Sequence, residues 1–304
     1  MGYQPIYRAG QTSGKSDREC ASRYDVIREA ANRYSRPITV LDIGASEGYF
    51  SFRIAEDFPE ATCIAIEGGP QLLPLCPGNS PIIHFWRRVS VKDLQDLATC
   101  EHFDVVLALN VLHHFADWQG AANAVLKLGE TIIVETPPPG DKGACGQQAI
   151  PGLFEMFSGC GKKIAETQSH TAEVMRPMFL VERSKSKLTR SYIDIPHHAP
   201  QRDIHVKSSY SRKTANLHGA EEDWIPGINL RTYQRLGGVW PSAENVAQMV
   251  DNTPVPTEHH GDIRPWNFIL SRDALHLIDG GDKVAIYDDN EGLKLTAIEI
   301  REMV

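Results

Sequence analysis

Short runs of apolar residues recur through the first half of the chain, and each ends in a polar or glycine-rich segment. They cover residues 40–43, 62–66, 82–86, 103–109 and 131–135. Runs this short that are apolar on both faces are typical of buried parallel strands. Between them, apolar residues recur at helical spacing, as from Phe50 to Phe58 and from Asp117 to Leu128. This alternation predicts an α/β fold with one parallel sheet and helices on both of its faces.

The segments around this core are less regular. Residues 1–16 are polar, contain proline and glycine, and are predicted to form an irregular arm. Asp17 is the expected N-cap of a helix that follows the arm. Residues 71–81 contain too much proline for a long helix, 137–152 are predicted to be a loop, and 178–181 a late strand.

A glycine-containing turn follows the first strand. Gly44 and Gly48 let the backbone turn sharply and approach a ligand, and the helix that follows points free amide groups into the same space. Glu67 ends the second strand, where an acidic side chain can accept hydrogen bonds from both hydroxyls of a ribose. Together with Asp42, the pattern D-x-G-x-x-x-G resembles the S-adenosylmethionine (SAM) site of class I methyltransferases.

This resemblance implies a class I methyltransferase (Rossmann-like) fold and SAM as the cofactor. It places cofactor contacts on the glycine loop and the strand ends, and an arginine of the first helix near the methionine carboxylate. Ser90 and Val91 fall in a segment expected to be the loop that holds the adenine. The residues expected to bind SAM are Arg23, Asp42, Gly44, Ala45, Ser46, Gly48, Tyr49, Phe50, Glu67, Gly68, Ser90, Val91, Asn110 and Val111.

The residues after the fourth strand face the acceptor in the methyltransferases that the chain resembles. His113 and His114 are the predicted general bases, because imidazole is available in its neutral form near pH 7. We expect only one of the pair to act, with Glu135 a weaker candidate. A hydroxyl acceptor would then give a rate that rises with pH near the pKa of imidazole. A phosphate acceptor would instead need cations, for which Arg176 and Arg264 are the candidates.

The composition changes near residue 184, so we predict a methyltransferase domain over 1–183 and a smaller α+β region over 184–304. In the second region, Asp262, Asn267 and Asp279 follow the spacing of the catalytic and metal-binding loops of protein kinases, which they resemble. No glycine-rich phosphate loop precedes them between residues 184 and 223. The chain also ends soon after Asp279. We therefore expect a kinase-like remnant.

The order of these parts resembles bifunctional kinase–methyltransferases that cap bacterial O-antigen polysaccharides. The similarity includes the turn Leu112-His113-His114 and the segment 264–267, and it implies a sugar or glycan acceptor. Three functions remain open. The first is a SAM-dependent O-methyltransferase acting on a sugar, glycan or phosphorylated glycan. The others are a bifunctional kinase and methyltransferase, and a SAM-binding regulator without catalysis.

The net charge, the hydropathy and the cysteines indicate which partners and which compartment to expect. The net charge of −8 argues against general nucleic-acid binding, which favours a basic surface. No apolar run is long enough to predict a membrane span. The six cysteines form no C-x-x-C pair and show no metal-like spacing with histidine, so we expect no metal site and reduced thiols in a cytoplasmic protein. The oligomeric state stays open.

Overall fold

The computed structural model describes residues 2–75, 80–171, 173–183, 189–194, 205–211, 225–255, 263–277 and 288–302. The strands are β1 Ile6–Arg8, β2 Gln11–Ser13, β3 Thr39–Ile43, β4 Thr62–Glu67, β5 Ile82–Trp86, β6 Phe103–Leu109, β7 Gly129–Glu135, β8 Lys162–Gln168, β9 Met175–Glu182, β10 Thr189–Asp194, β11 His205–Ser211, β12 Ile228–Asn229, β13 Gly238–Trp240, β14 Phe268–Leu270 and β15 Leu275–Leu277. The α-helices are α1 Ala21–Ala31, α2 Tyr49–Asp57, α3 Val91–Cys100, α4 Trp118–Leu128, α5 Ile150–Cys160, α6 Leu230–Leu236, α7 Ala243–Asp251 and α8 Asp289–Arg301. Three 3-10 turns cover Leu73–Leu75, Leu112–His114 and Pro265–Asn267.

One sheet of eight strands has the order β13-β5-β4-β3-β6-β7-β9-β8. Strands β3 to β7 run parallel, whereas β13 pairs antiparallel with β5, and β9 pairs antiparallel with both β7 and β8. After β5 the chain returns to place β6 beside β3, so the connections leave these two neighbours in opposite directions. In such a sheet a ligand crevice opens at the carboxyl ends of the two strands. The predicted α/β class I methyltransferase architecture is confirmed.

Alternate side chains of the parallel strands enter two apolar cores, one on each face of the sheet. Leu41 and Ile43 of β3 belong to the core that also contains residues of α3 and α4. Val40 points the other way and packs in the core formed with α1 and α2. All three side chains are at most 1% exposed, so β3 lies between two helical layers. Its carboxyl end is therefore held rigidly, which fixes the loop that follows it.

Two predicted segments have more structure than the sequence pattern indicated. The arm contains the antiparallel hairpin of β1 and β2, where an irregular segment was expected. Helix α1 begins at Ala21 rather than after Asp17. The carboxylate of Glu19 accepts hydrogen bonds from the backbone N–H groups of Ala21, at 2.6 Å, and of Ser22, at 3.2 Å. These two donors would otherwise lack a partner at the helix start.

The expected adenine loop after β5 is also different, because it becomes helix α3 at Val91. The hydroxyl of Ser90 accepts a hydrogen bond from the backbone N–H of Asp93 at 3.1 Å, and the carboxylate of Asp93 accepts one from the N–H of Ser90 at 2.9 Å. This reciprocal pair is a capping box, which stabilises a helix start. The signal is visible in the sequence as Ser-x-x-Asp, and the prediction of a loop there was wrong.

The later part of the chain contributes to two places on this core. Strand β13 extends the large sheet beside β5. A separate three-stranded sheet of β12, β14 and β15 lies against the amino ends of β3 and β4. There, the backbone N–H of Gly227 donates to Thr39 Oγ1 at 2.8 Å, and that of Arg272 donates to Thr62 Oγ1 at 3.1 Å. The small sheet is thus attached at the end of these strands opposite to the crevice.

Candidate active site

A cavity of about 790 Å³ opens at the carboxyl ends of β3, β4 and β6. Nine of the residues expected to form the site line it: Gly44, Ser46, Glu67, Gly68, Asn110, Val111, His113, His114 and Arg176. The sequence interpretation missed several others, among them Tyr3, Gly69, Gln71, Arg88, Cys145, His170 and Thr171. Gly44, Ser46, Glu67, Gly68, Asn110 and Val111 form the first half of the cavity, which we call the cofactor half. His113, His114 and Arg176 form the second half, which we call the acceptor half.

Gly44 keeps the first half of the cavity open. Its φ angle of 73° lies in the left-handed region that favours glycine. A Cβ atom at this position would lie 2.8 Å from Cγ2 of Val111, in the loop after β6. Because real Cβ atoms do not approach this closely, a larger residue would push the two loops apart. The glycine therefore sets the distance between the carboxyl ends of the two central strands.

Glu67 is oriented by the backbone. Its Oε2 accepts a hydrogen bond from the N–H of Ser46 at 2.7 Å, and its Oε1 accepts one from the N–H of Gly69 at 2.6 Å. Each carboxylate oxygen has a second lone pair that can accept a further donor. A carboxylate held in this way, at the edge of the cavity, fits the two hydroxyls of a ribose.

Asn110 joins the cofactor half to the N-terminal arm. Its φ angle of 64° is one that asparagine tolerates better than most residues. The side-chain Nδ2 donates to the hydroxyl of Tyr3 at 2.9 Å, while Oδ1 is buried and has no partner among the described residues. The ring of Tyr3 meets that of His170 edge-on, with centroids 5.2 Å apart. Tyr3 thus connects the two halves, and nothing in the polar arm signals this role.

His113 and His114 carry the second half. Their rings lie with centroids 4.2 Å apart, and Nδ1 of the buried His113 has no hydrogen-bond partner among the described residues. Burial lowers the pKa of His113 to about 3, with the neighbouring His114 acting in the same direction. Burial also lowers the pKa of His114, as do the positive charges of Arg88 and Arg176. Both imidazoles are therefore neutral at pH 7, and their lone pairs can accept a proton or a cation.

Arg176 is only 1% exposed but lines the same half of the cavity. Its Nε donates to Oδ2 of Asp141 at 2.7 Å, and its Nη2 donates to Oγ1 of Thr171 at 3.1 Å. The remaining Nη1 is buried and has no partner in the described part of the chain. A buried guanidinium N–H without a partner is costly, so this atom is suited to receive an acceptor oxygen.

Comparison with known proteins agrees with this geometry. Residues 41–128, which run from the middle of β3 through β4, β5 and β6 to the end of α4, match the family described as a methyltransferase domain. The chain contains a methyltransferase domain. Its methyl donor is SAM, and the residues of the first half of the cavity fit that molecule.

Similar proteins extend over more of the chain. Two curated Escherichia coli proteins named O-antigen chain terminator bifunctional methyltransferase/kinase WbdD are each 23% identical over 239 residues. The match covers 73% of this chain and 33% of the relative, so the chain spans about a third of the length of these relatives. A crystal structure of WbdD shares the fold with a TM-score of 0.50 at 21% identity, covering 92% of this chain and 79% of that one.

Glu135 does not reach the cavity of the methyltransferase domain, and this corrects its expected catalytic role. It is 1% exposed, and its two oxygens form ion pairs with Arg18 and Arg23. Thr167 Oγ1 donates to it as well, at 3.0 Å. Burial favours a raised pKa, but Arg23 and Arg18 offset this and lower the pKa of Glu135. It is therefore an ionised member of a buried ion cluster rather than a base.

Two predicted cofactor residues are also structural. Arg23 is fully buried, donates to Glu135 and lies over the ring of Phe50, so it does not line the cavity. Asp42 lies below the loop and accepts a hydrogen bond from Ser51 Oγ at 2.8 Å. Burial raises the pKa of Asp42 to about 7, and the negative charge of Glu67 adds to this. Asp42 thus supports the loop from below.

The remaining cofactor predictions lie beside the cavity but do not line it: Ala45, Gly48, Tyr49, Phe50, Ser90 and Val91. Gly48 has a φ angle of 74°, and a Cβ there would lie 2.7 Å from Leu72. The rings of Tyr49 and Phe50 face the core below the loop. The glycine loop thus contains some residues that line the cavity and others that pack in the core beneath it, and the sequence pattern does not distinguish the two groups.

The kinase-like residues give a mixed result. Arg264 forms an ion pair with Glu299 at 2.7 Å and lies over the ring of Trp266, and it does not line the cavity. This corrects its expected role in acceptor binding. Asn267 is buried in the turn before β14. Asp262 and Asp279 lie outside the described residues. Among the described residues, the helices are too short or too polar to cross a membrane.

Replacing Glu67 with alanine should weaken SAM binding by about 1.5–3 kcal/mol, which is the usual loss for a hydrogen bond to a charged group. The reason is that the backbone-held carboxylate would be the partner of the ribose hydroxyls. Isothermal titration calorimetry with SAM measures the change. Glu60→Ala is the matched control, because Glu60 is exposed and lies in the turn before β4, and this variant should bind SAM as the wild type does. Equal affinity in the two variants would remove Glu67 from the cofactor site.

Proposed function

We propose that this chain is a SAM-dependent O-methyltransferase whose acceptor is a sugar, a glycan or a phosphorylated glycan. The observation that carries the proposal is the placement of His113 and Arg176 in one cavity with Glu67. Glu67, whose carboxylate is suited to a ribose, thus lines the same cavity as a histidine and an arginine that each carry a buried nitrogen without a partner in the described part of the chain.

Some residues of the cavity bind the two substrates, and another accepts a proton. When bound, SAM supplies a methyl group activated by the positive sulfur. Glu67 and the Gly44 loop hold the donor half, and Nη1 of Arg176 donates to an oxygen of the acceptor. Nδ1 of His113 accepts the proton of an acceptor hydroxyl. Such proton transfer contributes about 10²–10⁴-fold to a rate, and alignment of the reactants adds to it.

The polar lining supports a carbohydrate acceptor. Besides Arg176, the acceptor half contains the side chains of Thr171, His170 and Arg88, which donate or accept hydrogen bonds. Sugars present many hydroxyls and bind where several such groups converge. The curated relatives named above are described as O-antigen chain terminators, which points to the same class of acceptor.

The proposal is tested by methyl transfer from radiolabelled SAM to three sets of acceptors. These are free monosaccharides, oligosaccharides with a free end, and the same oligosaccharides with a terminal phosphate. We expect enzyme-dependent label in at least one set, and loss of that label in Arg176→Ala. SAM binding with no transfer to any of the three sets would contradict catalysis on carbohydrates. It would instead support a SAM-binding regulator.

We expect no magnesium-dependent ATP turnover, because residues 184–223 contain no glycine-rich loop to hold the phosphates. The kinase half named in the relatives would then have no counterpart activity here. A coupled assay for ADP release with a glycan acceptor measures this. Turnover that disappears in Asp262→Asn would overturn the prediction and favour the bifunctional alternative.

A further inference from the structure

Three side chains of metal-binding type meet at the acceptor side of the cavity. His113, His114 and Cys145 offer ligand atoms that all lie within 4.8 Å of one another. Sγ of Cys145 is 3.1 Å from Nδ1 of His114. The cysteine follows β7, 31 residues after His114, which is not a spacing that signals a metal site. The fold nevertheless brings the three residues together.

The loop that carries Cys145 packs against the histidine turn and is stabilised by hydrogen bonds within itself. Gly146, with a φ angle of 65°, packs so closely that a Cβ there would lie 1.9 Å from the carbonyl oxygen of His113. The side chain of Gln147 donates to the carbonyl oxygens of Asp141 at 2.8 Å and of Ala144 at 2.5 Å. The backbone of the loop is thus fixed against the turn that carries both histidines.

We propose that His113, His114 and Cys145 bind a Zn²⁺ ion whose fourth position opens into the cavity. Two imidazole nitrogens and one thiolate match the ligands that Zn²⁺ prefers, and three protein ligands with one open position are typical of catalytic zinc. Bond lengths of ~2.0–2.3 Å put tetrahedral ligands roughly 3.3–3.6 Å apart. The three ligand atoms lie within 4.8 Å of one another, and because His114 and Cys145 are exposed, their side chains have room to rotate toward that spacing.

The site deepens the proposed function, on which its chemical role rests. An acceptor hydroxyl at the open position would have a lowered pKa, since Zn²⁺ acidifies bound hydroxyl groups. Its proton passes to solvent, its oxygen forms the bond to the methyl carbon, and the electron pair of the broken carbon–sulfur bond stays on sulfur. In this state the histidines serve as ligands, and the ion replaces His113 as the means of activating the acceptor.

The neighbouring charges bear on the site in opposite ways. Arg88 and Arg176 line the same cavity and oppose a cation. The Cys145 thiolate supplies a negative charge directly on the ion, and Asp141 already pairs with Arg176 at 2.7 Å. Without a metal, the same 3.1 Å contact would be a simple hydrogen bond between a thiol and an imidazole. Direct metal binding distinguishes the two states.

The test is made on the full chain, stripped with a chelator and titrated with Zn²⁺ and separately with Co²⁺. We expect one Zn²⁺ per chain, and a sulfur-to-cobalt charge-transfer band in the Co²⁺ form. Cys145→Ser should abolish the band and weaken Zn²⁺ binding at least 10-fold, and His114→Gln should weaken it similarly. Cys160→Ser removes another exposed cysteine, at the end of α5. It should change neither the Co²⁺ charge-transfer band nor the affinity for Zn²⁺. Both ligand variants replace exposed side chains, and circular dichroism checks that they fold.

The zinc site would be overturned by the absence of Zn²⁺ binding or by equal effects of Cys145→Ser and Cys160→Ser. Its role in activating the acceptor would be overturned by full methyl transfer by the stripped protein. In the last case the O-methyltransferase proposal stands and His113 acts as the base. Failure of SAM binding in both the stripped and the zinc-loaded protein would instead contradict the proposed function, so the two failures are separate.

Discussion

His113→Asn should lower the turnover of methyl transfer by about 10²–10⁴-fold while SAM affinity stays within about twofold of wild type. The physical reason is that His113 lines the acceptor half of the cavity and carries a buried nitrogen without a partner among the described residues, whereas the expected cofactor contacts come from Glu67 and the loop after β3. The loss is expected whether this nitrogen takes a proton or holds an ion. Single-turnover kinetics and calorimetry with SAM separate the two quantities.

The matched control is His84→Asn. His84 is as deeply buried as His113, and burial lowers its pKa to about 4, but it lies on β5 and does not line the cavity. Folded His84→Asn protein should therefore transfer methyl groups at nearly the wild-type rate. Comparable losses in both variants would show that His113 acts through packing alone.

The structure predicts a different pH dependence for the rate of methyl transfer from the one that the sequence predicted. A rise in rate near the usual imidazole pKa was predicted, but the pKa of His113 is lowered to about 3. Above that value the imidazole stays neutral. The rate should therefore be flat from about pH 5.5 to 8, across the normal imidazole range. A flat profile no longer argues against a role for the histidines, whereas a sigmoidal rise near pH 6.5 would argue against a buried His113.

Glu135→Gln should reduce the free energy of unfolding by about 3–5 kcal/mol at pH 7. Removing the carboxylate leaves the guanidinium groups of Arg18 and Arg23 buried beside each other without their shared anion. Glu135 has a lowered pKa, so its contribution is complete above the unfolded-state pKa of about 4.3 and is lost as the pH falls through the folded-state value. Urea unfolding of both proteins at pH 7 and pH 4 measures the difference.

Glu166→Gln is the control for this change. Glu166 lies on β8 and pairs with Lys163 at 2.9 Å, with both side chains largely exposed. Exposed pairs contribute roughly 0–1 kcal/mol, so this variant should unfold almost as the wild type does. If Glu135→Gln were equally mild, the ion cluster would not be a source of stability. The difference in free energy of unfolding between Glu135→Gln and Glu166→Gln should also become smaller as the pH falls.

The sheet could be predicted because its strands are apolar on both faces. Val40, Leu41 and Ile43 enter opposite cores, so every position in the run is apolar, and the run stands out from the polar chain around it. Strand β8 was missed for the opposite reason. It lies at the edge of the sheet, and most of its side chains are exposed, so it lacks an apolar run.

The residues of the cofactor half could likewise be proposed from the sequence, because they lie directly at the carboxyl ends of predicted strands. Gly44, Glu67 and Asn110 are each at a strand end and line the cavity. The acceptor half depends on contacts between distant segments. Tyr3, Cys145 and His170 come from the arm and two loops, and no local pattern connects them. Glu135 was misassigned because it lies at the carboxyl end of β7, as expected, but its side chain turns away from the cavity and pairs with Arg18 and Arg23.

The pairing of β13 with β5 has a consequence for anyone who shortens this protein. Gly238 and Trp240 lie opposite Phe85 and His84 and cover the hydrogen-bonding groups of a strand that would otherwise end the sheet. An uncovered outer strand offers these groups to other molecules, and the exposed Trp86 adds an apolar contact at the same place. A fragment that stops at residue 183 would thus be prone to self-association, even though it retains the whole cavity. Keeping residues 225–255 in any shortened version would protect it from aggregation.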